Sequence, residues 1–320
     1  MRLARITLLL IPLIVSSAGL LPAKDKKKTP SSTPSSDMSQ LWNDPGDIGS
    51  RDLLLGPGGS RHVPRPEVEY QFKEEDKTGH SKGYIVKDPD GSVWKAKIGE
   101  EAQAEIAVSR ILWAIGYHQP VLHYVEKWKM TGGPADKTEP ARFRLESDHE
   151  KGPYWSWTRN PFAGTRQLKG LIIADTLLNN WDLTPSNNRI FKPKDPGGGP
   201  ATWYVDQDVG GSLGKTRWPL GTRNNIEDYE SQRFIESVKD GRVQFDYHSR
   251  HGNLLKDVTP EDVVWTCRLL AKLSDKQLTD AFRAGHYTDD LTRRFVAKIK
   301  SKIQEGLTLE GKGGKAGAGR

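Results

Sequence analysis

Three short stretches of this 320-residue chain carry residue types that could do chemistry together. In Val93-Trp94-Lys95-Ala96-Lys97-Ile98, strand alternation puts Lys95 and Lys97 on one face and Trp94, Ala96 and Ile98 on the other. Glu100, Glu101 and Glu105 follow, so a glutamate on the next element could pair with a strand lysine. The second stretch runs from Asn179 to Ile190 and contains Asp182-x-x-x-x-Asn187 in a loop between an apolar helix and a strand. A carboxylate there can accept or orient a nucleophile's proton, and an amide oxygen can bind magnesium, the division of labour that phosphoryl transfer uses. The third, Tyr204-Val205-Asp206-Gln207-Asp208-Val209-Gly210, is a strand ending in Asp-Val-Gly. Asp208 can offer a second carboxylate to a metal while Gly210 lets the chain turn away. Asp206 lies on the same face by alternation and competes for that role. Taken singly, each stretch also fits a plainer reading: solvated lysines on an edge strand, or a polar turn capping its own backbone.

The elements that would position these residues read as follows. Val68, Tyr70 and Phe72 alternate with Glu69, Gln71 and Lys73, a period-two strand, and loop 76–83 leads to a second strand over 84–87. Asp88-Pro89-Asp90-Gly91 is a turn before the strand that carries Lys95 and Lys97. Ala104, Ala107, Val108, Ile111, Leu112 and Ile115 repeat at helical spacing up to Gly116. Residues 121–130 and 141–145 read as two further strands. Beyond them the pattern turns helical: a helix over 167–178, a hairpin of 188–191 with 202–205, and helices starting at Thr259-Pro260, at Ser274-Asp275 and at Asp290. The expected fold class is α+β and two-lobed, with a β-rich N-terminal lobe over 41–150 and a mainly helical C-terminal lobe over 151–308.

The order strand, loop, strand, turn, lysine strand, glutamate helix, Asp-x-x-x-x-Asn loop, hairpin and Asp-x-Gly resembles the protein-kinase-like fold over roughly residues 65–215. In detail the chain looks closer to atypical members, the HipA-type toxin kinases and the exported spore-coat CotH kinases. It also resembles an uncharacterised family of exported bacterial proteins with Asn-Asn-Trp-Asp-Leu and Asp-x-Gly segments, a likeness that supplies no activity. The kinase resemblance implies ATP and Mg2+ as cofactors. Lys97 would contact the α- and β-phosphates and pair with Glu105, with Lys95 beside it on the nucleotide side. Asp182 would be the catalytic carboxylate, Asn187 and Asp208 (or Asp206) the metal ligands, and loop 76–83 the cover over the nucleotide. The acceptor, a protein or a small molecule, is not specified. Ordinary kinases carry His-Arg before the catalytic aspartate and a lysine two residues after it. This chain has Asn180-Trp181 and Thr184, which points to the alternative of a catalytically inactive relative binding a nucleotide or an envelope partner.

A competing motif overlaps the third stretch. Gly210-Gly211-Ser212-Leu213-Gly214 fits Gly-x-Ser-x-Gly, the nucleophile elbow of a serine hydrolase, with Asp246, His248 and His286 downstream as partners. That elbow needs a helix directly after the serine, and the residues after Ser212 read as a loop.

The N-terminus combines Arg2 and Arg5, an apolar run from Ile6 to Val15 and small residues at Ser16 and Ala18. This is the make-up of a signal peptide over 1–18, so the chain is expected to be exported, to the periplasm or beyond. Residues 19–40 read as a flexible linker and 309–320 as a disordered Gly/Lys tail. The net charge of +7 lies wholly in the ends: Arg2, Arg5, Lys24, Lys26, Lys27 and Lys28 against Asp25, and Lys312, Lys315 and Arg320 against Glu310. Residues 29–308 are formally neutral, which removes the support for nucleic-acid binding. No later segment is apolar enough to span a membrane. The single cysteine, Cys267, excludes an intramolecular disulfide and a thiolate zinc site, and the 8 histidines show no His-Glu-x-x-His spacing.

Overall fold

Local signals in the sequence start the helices of the C-terminal half. Thr259 accepts from the Asp262 amide while the Asp262 carboxylate accepts from Thr259 N, a capping box with Pro260 at the first helical position. Ser274 with Gln277 forms a second box, and Thr165 and Thr288 cap the helices that follow them. Each such cap satisfies amides the helix cannot, worth about 1 kcal/mol. The computed structural model describes residues 37–77, 81–134 and 139–311. The expected signal peptide (1–18), most of the expected linker and residues 312–320 lie outside the described residues.

The first lobe holds β1 (Glu69–Asp76), β2 (Gly83–Lys87), β3 (Val93–Ile98), α1 (Glu101–Ala114), β4 (Leu122–Val125), β5 (Lys129–Thr131) and β6 (Ala141–Leu145). Its strands form a sheet in the order β4-β6-β3-β2-β1-β5, antiparallel apart from the β1–β5 pair. One side buries Tyr70, Tyr84, Val86, Trp94, Ala96 and Phe143. The other side is charged, because β3–β6 register sets Lys97 opposite Arg142 and Lys95 opposite Arg144.

The second lobe contains β7 (His149–Tyr154), α2 (Arg166–Leu177), β8 (Asn188–Pro193), β9 (Trp203–Asp206), α3 (Ile226–Ser231), β10 (Ile235–Lys239), β11 (Arg242–Phe245), α4 (Pro260–Leu270), α5 (Asp275–Ala284) and α6 (Asp289–Leu307). Strands β7-β8-β9 make a small sheet, and α2, α4 and α6 pack around Leu171, Ile173, Val263, Cys267 and Ile299. Helix α1 contributes Ala107, Val108, Ile111 and Leu112 to this larger core, so the glutamate-bearing helix is anchored in the second lobe while it serves the first. The architecture is α+β, as the element pattern implied, with one charged sheet face turned toward the β8–β9 end of the helical lobe.

Several expected boundaries move. The single strand over 121–130 is two strands, broken at Glu126–Trp128, that pair at opposite edges of the sheet. A β-strand over 149–154 was not read from the sequence, and the expected lobe boundary at 150 falls inside it. The expected linker ends sooner, since Asp37 caps a short turn at Met38–Gln40 and Leu41 is fully buried. Leu41, Ile48 and Leu53 join the larger core rather than the sheet, so the segment from residue 41 belongs with the helical lobe. Leu309, placed in the tail, is buried as well. The β10–β11 hairpin turns at Asp240 and Gly241, both with positive φ, a signal present in the sequence as Asp-Gly. Among the described residues no helix is long and apolar enough to cross a membrane. Cys267 is buried, and that burial pushes its thiol up to about 12, which leaves it unreactive.

Candidate active site

Lys97 is the hub of the cleft between the lobes. Its Nζ lies 2.6 Å from Glu101 Oε2, 2.8 Å from Asp208 Oδ1 and 3.5 Å from Glu105 Oε2. The helix period explains two of these contacts: Glu101 and Glu105 stand one turn apart on the face of α1 that looks at β3. Glu105, fully buried, is held more closely by Arg142 Nε at 2.9 Å, and Glu101 is also paired with Arg223. Burial works to raise the Asp208 carboxyl, but the Lys97 ammonium, joined by Arg142 and Arg144, holds the group below the usual aspartate value.

Lys95 points to the same side but engages another group, Asp76 Oδ2 at 2.6 Å, at the start of loop 76–83. Residues 78–80 of that loop lie outside the described residues. Burial and the neighbouring Arg144 lower the Lys95 ammonium. The sequence reading missed Arg142 and Arg144, although Ala141-Arg142-Phe143-Arg144-Leu145 shows the same period-two alternation as the lysine strand. Arg144 donates to Gln207 Oε1 at 3.0 Å, and the Gln207 backbone N–H donates to Asn187 O at 2.9 Å, which joins the sheet to the Asp182–Asn187 loop.

That loop is closed by its own motif. Asn187 Nδ2 donates to Asp182 O at 2.8 Å and to Asp182 Oδ2 at 3.1 Å, across a short turn at Pro185–Asn187. With the amide nitrogen used within the loop, Asn187 Oδ1, the kind of oxygen a hard cation takes, makes no hydrogen bond among the described residues. Both Asp182 and Asn187 are partly exposed.

Two and three residues before Asp182, a buried scaffold sets the loop's path. Asn179 has a φ of 56°; its Nδ2 donates to Gly214 O and to Gln232 Oε1, and its Oδ1 accepts from Lys302 Nζ at 2.6 Å. Lys302, 1% exposed on α6, also donates to Leu177 O at 3.1 Å and lies over the Tyr229 ring. Asn180 Oδ1 accepts from Asp182 N, and Asn180 O accepts from Tyr247 Oη at 2.5 Å. The sequence singled out the Asn-Asn pair ahead of Trp-Asp but gave Asn179 and Asn180 no role, and nothing in it pointed to Lys302.

The segment after β9 passes close to both partners. A Cβ on Gly210 would meet Glu101 Cβ at 2.7 Å, and one on Gly211 would meet Asp182 Cβ at 3.1 Å. The glycines are there for close approach, and they bring Asp208 to Lys97. Asp206 goes elsewhere. As the last residue of β9 it turns inward, is 2% exposed, and meets Asp175 of α2 rather than Lys97.

The elbow reading of Gly-x-Ser-x-Gly is corrected. Ser212 is fully buried, its Oγ donates to Val209 O at 2.7 Å, and among the described residues no histidine bonds to it. No helix follows, because the chain crosses to Asn179 and Thr222 instead. Asp246 and His248 pair with each other at 3.2 Å, and with Glu236 they form a surface group remote from that serine's hydroxyl.

No family model matches the chain, and no curated protein matches it. Among solved structures it is similar to the Helicobacter pylori proinflammatory kinase CtkA, at 11% identity and a TM-score of 0.47, over 76% of this chain and 97% of that one. It is also similar to the Golgi casein kinase solved with Mn and ADP bound, at 10% identity and a TM-score of 0.42, over 86% of this chain and 78% of that one. Overlap at this level decides nothing about activity.

Proposed function

We propose that this chain is an ATP- and divalent-cation-dependent phosphotransferase of the protein-kinase type that works outside the cytoplasm after export. The observation that carries it is the convergence at Lys97: a strand lysine, a glutamate of the following helix and the Asp-x-Gly aspartate within 3.5 Å of one ammonium. Phosphoryl transfer needs positioned charge rather than covalent catalysis, and this group supplies it. Lys97 would hold the α- and β-phosphates while Glu105, backed by Arg142, keeps the ammonium in place. The donor set of Asn187 Oδ1 and the Asp208 carboxylate is oxygen-only, which suits Mg2+ or Mn2+, and such an ion would neutralise the transferred phosphoryl group's charge. Asp182, fixed by Asn187 and Asn180, would accept the acceptor hydroxyl's proton.

A second reading is favoured by one observation. Trp181 stands where ordinary kinases carry an arginine; its indole donates to Thr222 O at 3.1 Å and lies under Arg223, a structural brace rather than a phosphate anchor. A non-catalytic nucleotide-binding relative would keep that brace.

Thermal denaturation separates binding from its absence. Measured against the same Mg2+ concentration without nucleotide, MgATP should raise the Tm by several degrees through mass action on the folded state, and Asp208→Ala should abolish that rise by removing a metal ligand. A wild-type chain indifferent to both MgATP and MgGTP would reject nucleotide binding. A shift with no ADP release would select the non-catalytic relative. Export rests on Arg2, Arg5 and the apolar run ahead of Ala18.

A further inference from the structure

Asp206 is not used by the cleft, and its surroundings are unusual. The β8–β9 register pairs it with Asn188, so both side chains stand on one face of the hairpin. Its carboxyl lies against that of Asp175 of α2, close enough for the two acids to share a proton. Asp175 and Asn188 are fully buried and Asp206 is 2% exposed. Asp175 Oδ1 accepts from Asn180 Nδ2 at 3.2 Å, but Asp175 Oδ2, Asp206 Oδ2 and both polar atoms of the Asn188 amide have no hydrogen-bond partner. Among the described residues, neither carboxylate is in an ion pair.

Burying two carboxylates without a cation is costly, by several kcal/mol per ion. A shared proton would relieve the repulsion between the two acids, yet it would leave both atoms of Asn188 unpaired. A cation would take an oxygen from each of the three residues at once, the Asn188 Oδ1 included. Two carboxylate oxygens and an amide oxygen are a hard, oxygen-only set, the preference of Mg2+, Mn2+ and Ca2+.

We propose that Asp175, Asp206 and Asn188 form an enclosed divalent-cation site beneath the catalytic-type loop, separate from the Asn187–Asp208 pair in the cleft. Its consequence for transfer rests on the phosphotransferase reading; the binding itself does not. Asn180 joins Asp175 to the backbone of Asp182, so a cation there fixes the end of α2 to the loop that carries the candidate base. The ion in this site is structural, and the nucleotide does not touch it.

The test uses the full chain without nucleotide. Mn2+, Mg2+ and Ca2+ are added singly to chelator-treated wild type, Asp208→Ala and Asp206→Asn, with Tm and Mn2+ binding stoichiometry as readouts. At a hundredfold excess over Kd, the wild type and Asp208→Ala should each gain roughly 5–10 °C. Asp208→Ala should bind one Mn2+ tightly, and Asp206→Asn, which keeps shape and hydrogen bond but loses the charge, should lose that gain. Asp206→Asn should also be at least as stable as the wild type in chelator, which guards against a mere folding defect. A cation shift equal in Asp206→Asn and wild type overturns the proposal, as does a wild type that gains nothing from any of the three ions. A wild type that responds to MgATP but not to ions alone would reject this site while leaving the nucleotide reading intact. The converse result would reject the nucleotide and keep the site.

Discussion

Asp182→Asn should lower ADP release from MgATP by about 10²–10⁴-fold, the range general-base removal produces, while leaving the nucleotide-dependent Tm shift in place. ADP release with water as acceptor avoids the need to know the natural acceptor. The asparagine keeps the shape of the side chain and an oxygen to accept from Asn187 Nδ2, now 3.1 Å away, so the loop need not move. What it loses is the carboxylate's capacity to take a proton. Because Asp182 has no contact with Lys97, nucleotide affinity should change little. A variant that releases ADP at the wild-type rate would remove Asp182 from the chemistry. One that loses the Tm shift as well would place it in nucleotide binding instead.

Lys97→Met should destabilise the fold by roughly 2–4 kcal/mol at pH 7, read from urea denaturation, and abolish any MgATP shift. Breaking a buried ion pair by removing one partner costs about 3–5 kcal/mol, because the other charge stays buried. The expected loss is set lower because Arg142 still holds Glu105, Arg223 still holds Glu101, and the Asp208 side chain is 38% exposed. The effect should also depend on pH in a defined direction. Asp208 is held below its usual value, so its pairing stabilises the fold above the unfolded pKa of ~3.9 and is lost as pH falls through the folded value. The gap between wild type and variant should therefore be full at pH 7 and narrow below about pH 4. A variant as stable as wild type across that range would mean that Lys97 is not the cleft's main counter-charge.

Much of this site was legible as pattern. Period-two alternation put Lys95 and Lys97 on one face, helical spacing set Glu101 and Glu105 one turn apart, and Asp182-x-x-x-x-Asn187 closes on itself through a local hydrogen bond. The helix starts at Thr259 and Ser274 were equally local, since a cap needs only its own first turn. These features follow from interactions between near neighbours along the chain, which a sequence displays directly.

The choice of partners was decided by tertiary structure. Nothing local tells Glu105 to prefer Arg142, because that contact requires β6 to lie beside β3 in a particular register. Lys95 takes Asp76 rather than a cleft carboxylate because β1 ends one strand away, across Gly83 of β2, whose missing side chain leaves the way open. Asp206 and Asp208 part ways for a similar reason. Alternation assigns both to one face only while the strand continues, and β9 ends at Asp206. Asp206 therefore obeys the strand and goes inward to Asp175. Asp208, two residues past the last ladder bond, is released from the pleat, and Gly210 and Gly211 let its backbone pass close enough to α1 and Asp182 for the carboxylate to reach Lys97.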